Sequence, residues 1–567
     1  MVDPQTPAPT PRIGEQLLRL GLITPDQIEV ALHEKARSGK MLGTILVDLG
    51  FIKETDLAAA LAARSGAAHF DSVHALIDPA LGRTIPREQA ERHRIAILSE
   101  QGGEIAMAMV DPYDVLALDA ARRFVPPGTL LMPQIITPAD LSEVHDFIYG
   151  YSLSLDDVLR ELRTGSGEFT TAELARGFRH PIVRLVNMLM LDAVKQHASD
   201  IHFEPEEYFI RIRLRIDGVL QQVAALHKDF WSALSHRLKI MAGMNIADKL
   251  MPQDGRFTIT LSGRVVDFRV STLPSAHGEN ISVRVLDQSN ALRSLNELGF
   301  TSEALAAITT MLKRPEGLLI VTGPTGSGKT TTLYAALNQL ANVKRNIMTL
   351  EDPIEYQLPL IRQTQIREAT GLGFAEGVRS ILRQDPDIIL VGEVRDSETA
   401  QMALRAAMTG HLVLTTLHTR DILGVMPRLH DLGMTPALMA GNINGLVAQR
   451  LVRQLCPHCK KPDALAAETA ALLDVPAKSK VFSPVGCAQC RNTGYKGRVP
   501  VAEALVIDPT LDELIGRNAP RSEWLKILKA RGFKSLREQG IALLLAGTIS
   551  AESLLESIDV IGMKEAA

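Results

Sequence analysis

Aromatic residues are scarce in this 567-residue chain, at 4%, with 2 tryptophans and 7 tyrosines. So few rings leave no stacking platform for single-stranded nucleic acid. Neither sign of charge prevails, because 61 Lys and Arg face 65 Asp and Glu for a net charge of -4. That balance excludes a whole-chain electrostatic footprint for nucleic acid or an anionic membrane. Long apolar runs are missing too: the best, such as residues 541–546, are far shorter than the ~18 residues that suggest a membrane span. The Pro-rich start, residues 1–11, lacks the charged and apolar regions of a signal peptide, so the chain is expected to stay in the cytoplasm. In that reducing compartment its 4 cysteines are not expected to pair as disulfides.

What is present suits a folded, multidomain chain. Hydrophobic residues make up 46% and charged residues 22%, near the averages for soluble domains, and domains of ~100–200 residues would number several. The opening holds a repeat: Gly14-Glu15-Gln16-Leu17-Leu18-Arg19-Leu20-Gly21-Leu22-Ile23 aligns with Gly43-Thr44-Ile45-Leu46-Val47-Asp48-Leu49-Gly50-Phe51-Ile52. Each copy predicts two short helices, and Thr24-Pro25-Asp26-Gln27 is a capping box with proline in the first turn. Residues 66–150 mix short apolar strands with helices, and residues 151–180, around Thr164-Gly165-Ser166-Gly167, read as a linker. A helix with Ile182, Leu185, Val186, Leu189 and Met190 on one face follows. In the strand ending at Ile216, Arg211, Arg213 and Arg215 alternate with apolar residues, so one face enters a core and the other presents guanidinium groups.

The residues with the clearest chemistry begin at 318. A buried-strand run, Leu318 to Thr322, leads directly into Gly323-Pro324-Thr325-Gly326-Ser327-Gly328-Lys329-Thr330 and a helical stretch from Thr331. This is a phosphate-binding loop in the strand-loop-helix setting it requires. The glycines let backbone N–H groups turn inward around phosphates, Lys329 reaches the β and γ phosphates, and the Thr330 hydroxyl is placed for Mg²⁺. Acids follow two later apolar strands, as Glu351-Asp352-Pro353-Ile354-Glu355 and as Glu393. Glu393 is a candidate for holding Mg²⁺ or orienting water, and Glu355 or Glu351 for the general base. His411 and His418 bracket a third strand as candidate γ-phosphate sensors. Cys456, Cys459, Cys487 and Cys490 form two C-x-x-C pairs that suit one tetrahedral, structural Zn²⁺.

These pieces, with Ala198-Ser199-Asp200-Ile201-His202-Phe203-Glu204-Pro205, Arg213-Leu214-Arg215-Ile216-Asp217-Gly218, Pro252-Gln253-Asp254-Gly255-Arg256, Ser271-Thr272-Leu273-Pro274 and Arg383-Gln384-Asp385-Pro386-Asp387, make the chain resemble the type II secretion and type IV pilus assembly ATPases. The resemblance implies an α/β multidomain fold: a mainly helical N-terminal domain with the tandem repeat (residues 12–150), a PAS-like α/β domain with the arginine strand (181–290) and a RecA-like P-loop ATPase core (291–455). A tetracysteine zinc element (456–490) and a C-terminal helical region (491–567) complete it. It further implies ATP as substrate, a homohexameric ring, an inner-membrane platform protein and the cytoplasmic domain of a bitopic membrane protein as partners, and no nucleic acid. Arg213, Arg215, Arg256 and Arg269 become candidates for transition-state charge stabilisation.

The N-terminal repeat resembles a domain that in some relatives binds cyclic di-GMP through two Arg-Leu-Gly motifs, each closed by Gln. Here Arg12-Ile13-Gly14 keeps the first arginine, while Met41 replaces the second and Lys35 and Arg64 occupy the glutamine positions. Weak or absent dinucleotide binding is expected. Arg420 also stands where relatives commonly carry Asn. The expected activity is an ATP-driven motor of type II secretion, with type IV pilus assembly as the nearest alternative. A RecA-like nucleic-acid translocase and a non-hydrolysing scaffold are the more distant ones.

Overall fold

The computed structural model describes residues 12–101, 103–150, 158, 161–162, 180–261, 264–287, 293–367 and 371–565. The expected leader, and the expected linker apart from residues 158, 161, 162 and 180, lie outside them. The chain divides into two compact units, Met1–Gln288 and Ser289–Ala567.

The first unit opens with helices Ile13–Arg19, Pro25–Ser38, Leu42–Asp48 and Glu54–Ser65. The repeat has a packing reason. A Cβ on Gly14 would lie 2.4 Å from Ile28, and one on Gly43 would lie 2.8 Å from Leu57, so the same close helix contact recurs in each copy. Four strands follow, β1 (Ala68–His69), β2 (Ile95–Gln101), β3 (Glu104–Met109) and β4 (Leu130–Ile135), in the order β1-β4-β3-β2.

The rest of this unit is a six-stranded antiparallel sheet of order β7-β6-β5-β10-β9-β8. Its strands are β5 (Asp200–Pro205), β6 (Phe209–Ile216), β7 (Val219–His227), β8 (Gln253–Leu261), β9 (Arg264–Ser275) and β10 (Gly278–Asp287). Alternation decides its faces: Ile210, Ile212 and Leu214 are fully buried in one core with helices Pro181–Lys195 and Trp231–Met241, while the arginines between them are not. Val158 and Leu162, from the expected linker, are buried in that core as well. The segment that follows β1 is tied to the same core. Leu76 belongs to it, Asn187 bonds both the N–H and the carbonyl of Ile77 at 3.1 and 2.8 Å, and Arg237 donates to Val73 O at 2.7 Å.

The second unit carries a seven-stranded sheet of order β13-β12-β14-β15-β11-β16-β19. The parallel strands are β11 (Gly317–Thr322), β12 (Ile347–Glu351), β13 (Ile361–Gln365), β14 (Ile388–Val391), β15 (Leu412–Leu417) and β16 (Ile443–Leu455). β11, β14 and β15 are buried along their whole length, as continuous apolar runs covered on both faces should be. A small ribbon, β17 (Lys461–Ala464) with β18 (Lys480–Ser483), interrupts the order before β19 (Tyr495–Val506) pairs antiparallel with β16. The region from 491 onward is therefore not wholly helical. Its first element buries Val501, Ala502 and Leu505 and completes the sheet.

Candidate active site

The phosphate loop joins β11 to helix Lys329–Leu340. Gly328 sits at φ 88°, a left-handed conformation costly for any side chain, and a Cβ there would also crowd Gln449 at 3.1 Å. Lys329 folds its ammonium over the loop, donating to Gly323 O at 2.7 Å and Pro324 O at 3.2 Å. Burial pushes this amine down to about 8, Arg450 adds to the effect and Glu393 opposes it. Pro324, Thr325, Gly326, Thr330 and Thr331 are exposed, while Gly323 and Ser327 are buried.

Gln449, a residue not singled out from the sequence, fastens this loop from β16. It is 1% exposed, and its amide donates to Ser327 O at 2.7 Å and accepts from the Thr332 hydroxyl at 2.9 Å. The hydroxyl of Thr322, the last residue of β11, accepts the N–H of Thr419 at 2.8 Å and lies 2.9 Å from the Thr419 hydroxyl. That contact fixes the residue beside His418.

Because β11, β12, β14 and β15 run parallel, the acidic strand ends open on the same edge of the sheet as the phosphate loop. Glu393 pairs with Arg395, and one of its oxygens lies 3.6 Å from His418 Nε2. The proton affinity of His418 is lowered, first by burial and then by Lys329, with Glu393 opposing. Lys329, Glu393 and His418 thus form one charge cluster.

The remaining acids divide. Glu351 is 4% exposed and accepts from Tyr334, from Thr349 at 2.6 Å and from Gln363 at 3.0 Å. Glu355, farther along the loop, is half-buried. His411 does not join the cluster: it precedes β15 while His418 follows it, so the two lie at opposite ends of the strand. Its ring is 2.8 Å from Ala406 O, at the end of helix Ser397–Met408.

In the first unit, strand register builds an arginine row that composition alone did not reveal. Arg256 faces Arg269, Arg269 faces Arg284, Arg284 faces Asp200 and Asp200 faces Arg215 across β8, β9, β10, β5 and β6. Asp200 pairs with Arg284 at 3.5 Å and with Arg215 at 3.6 Å. The row lies on the face away from the core, and Asp200 offsets part of its charge. Arg213 stands beside it, paired with Glu204 at 2.5 Å.

Cys456, Cys459, Cys487 and Cys490 bring their sulfurs within 4.8 Å of one another. Neighbouring sulfurs are 3.9 Å apart for Cys456 and Cys487, and 3.7 Å for Cys459 and Cys490 and for Cys487 and Cys490. A tetrahedral site with Zn–S bonds of ~2.3 Å places sulfurs ~3.8 Å apart, so the cluster fits. The N–H groups of Cys487 and Gly494 each donate to Cys490 Sγ at 3.2 Å, as expected around a thiolate ligand.

A phosphate loop at the edge of a parallel sheet, beside acidic strand ends, defines a RecA-like P-loop nucleotide-binding fold. The family described as Type II/IV secretion system protein matches residues 177–556, and the MshEN domain matches residues 66–155. The chain belongs to the Type II/IV secretion system protein family. It is 38% identical over 558 residues to the type IV pilus assembly ATPase PilB of Myxococcus xanthus (strain DK1622), covering 96% of this chain and 98% of that one. It is 40% identical over 491 residues to the type II secretion system protein E of Dickeya dadantii (strain 3937), covering 84% and 97%. The Legionella pneumophila ATPase DotB shares the fold, with a TM-score of 0.52 at 23% identity over 70% of this chain and 97% of that one. No helix among the described residues is long and apolar enough to cross a membrane.

Proposed function

We propose that this chain is an ATP-hydrolysing motor that drives pilin-like subunits into the pseudopilus of a type II secretion system. The observation that carries the reading is the Lys329, Glu393 and His418 cluster beside the phosphate loop. The N–H groups of residues 323–331 cradle the phosphates and Lys329 neutralises their β and γ oxygens. Thr330 and Glu393 would hold Mg²⁺, whose charge, when bound, offsets that of the phosphates. Glu355 takes the proton of the attacking water, with Glu351 supporting its loop, and His418 senses the γ phosphate. Arg213, Arg215, Arg256 and Arg269 supply cations for the charge that develops in transfer.

The working form is a ring of six, on the cytoplasmic side of the inner membrane, bound to a platform protein and to the cytoplasmic domain of a bitopic membrane protein. Cyclic di-GMP binds weakly or not at all, because Met41, Lys35 and Arg64 replace the residues that would contact it. Micromolar affinity in a titration with labelled dinucleotide would refute that part. The four cysteines would hold Zn²⁺, a structural tie: metal analysis should find one zinc per chain, lost in Cys456→Ser. Zinc-free wild-type chain that folds and melts normally would contradict the tie.

Assembly of a type IV pilus is the second reading, favoured by the match to the Myxococcus protein over nearly the whole length of both chains. A deletion strain rescued with Glu393→Gln decides between them. Loss of secreted proteins with pili retained supports secretion, loss of pili with normal secretion supports pilus assembly, and loss of neither overturns both.

A further inference from the structure

The helix that starts at Lys329 carries Tyr334 into the interior, where its side chain is 2% exposed. Its hydroxyl donates to one oxygen of Glu351 and accepts the N–H of Glu355 at 3.3 Å. Gln363, on β13, donates to the other Glu351 oxygen at 3.0 Å and to Tyr356 O at 2.9 Å, and accepts the N–H of Leu358 at 2.7 Å. Two side chains around one buried carboxylate therefore fix the loop after β12 at three backbone points, residues 355, 356 and 358. Tyr356 closes the arrangement, its ring edge-on to Tyr334 with centroids 6.0 Å apart. Burial, with Glu351 adding to it, pushes the Tyr334 phenol well above its ordinary range, which keeps the hydroxyl a donor.

We infer that Tyr334 is a positioning residue: it ties the loop bearing Glu355 to the phosphate-loop helix, through a hub in which Glu351 is a hydrogen-bond acceptor and not a base. The inference rests on the hydrolysis reading above. Three hydrogen bonds within the core hold Glu351, and at 4% exposure its carboxylate is turned away from the solvent that would supply the attacking water. Tyr334 lies little more than one helical turn beyond Lys329, so a displacement of the phosphate-loop helix is passed to the Glu355 backbone through a single hydroxyl. Misplacing a reacting group by about 1 Å costs on the order of 100-fold in rate.

The test is Tyr334→Phe in the full chain, which keeps the ring and removes the hydroxyl. The expected result is a kcat lowered by about 10- to 100-fold, with KM for ATP and affinity for labelled ADP within about twofold of wild type. Hydrogen exchange at the Glu355 amide should quicken at the same time. A kcat within about twofold of wild type, a KM that rises as kcat falls, or unchanged exchange would overturn the inference. Exchange needs no turnover, so an inactive wild-type chain would count against the hydrolysis reading while exchange still decides the hub. If Tyr334→Phe does not fold, Gln363→Leu frees the N–H of Leu358 and the carbonyl of Tyr356; kcat should then fall and exchange quicken at the Leu358 amide, and no change in either would overturn the hub.

Discussion

Lys329 carries the ammonium of the phosphate loop, and the fold makes that charge costly. Burial brings its amine from 10.5 down to about 8. Phosphates favour the ammonium form, so nucleotide binding must take up a proton wherever the free chain has lost one. Affinity for ADP should therefore fall as pH rises above about 8, and calorimetry in buffers of different ionisation heat should register proton uptake near pH 8 to 9. Lys329→Arg should remove that uptake, because an arginine stays charged; an affinity flat from pH 7 to 9.5 in the wild-type chain would contradict the account. The sign for stability is the reverse of a paired lysine: the folded chain binds fewer protons than the unfolded one between about 8 and 10.5, so stability rises with pH in that window. At this scale the phosphate loop was legible because its pattern is contiguous. Gln449 was not, since its partner Ser327 lies 122 positions away and nothing local marks a glutamine that will be buried. His411 and His418 show the converse: both are visible in the sequence, but they flank one 6-residue strand. At ~3.3 Å per residue they stand roughly 20 Å apart, too far to serve one phosphate.

Strands and helices place the remaining groups. The apolar runs of β11, β14 and β15 and the acids that follow them could be read in advance, because a parallel sheet buried on both faces leaves such a signature. The alternation in β6 was equally plain. The arginine row was not, because it depends on the register between two hairpin groups, β5–β6 and β8–β10, that are far apart in the sequence, and Arg284, which completes it, has no local distinction. β19 was missed for a similar reason: it reaches the sheet only after the cysteine ribbon, and its partner β16 was finished some forty residues earlier. The row yields a prediction that separates function from structure. Arg256→Gln changes one exposed side chain, so the melting temperature should stay level, while ATP turnover should fall by about tenfold or more. A variant with full turnover, measured alongside its thermal melt, would remove the row from the catalytic account.

As a whole molecule, the chain has a first unit with the arginine row and a tethered N-terminal part, and a second unit with the phosphate loop. The segment around Leu76, Ile77 and Val73 shows that the N-terminal part is bonded to the six-stranded sheet through Asn187 and Arg237. Composition could suggest a linker after residue 150, but not this earlier attachment, which depends on two distant polar side chains finding backbone groups. The central claim is that the second unit hydrolyses ATP with Glu393 as a working carboxylate. Its most direct test is steady-state ATP hydrolysis by the purified full-length chain, assembled as rings, for wild type and Glu393→Gln, with labelled-ATP binding measured in parallel. Turnover by the wild type is expected, with a loss of about 100-fold or more in the variant and ATP still bound. Equal turnover by both proteins, or none by the assembled wild type, would contradict it.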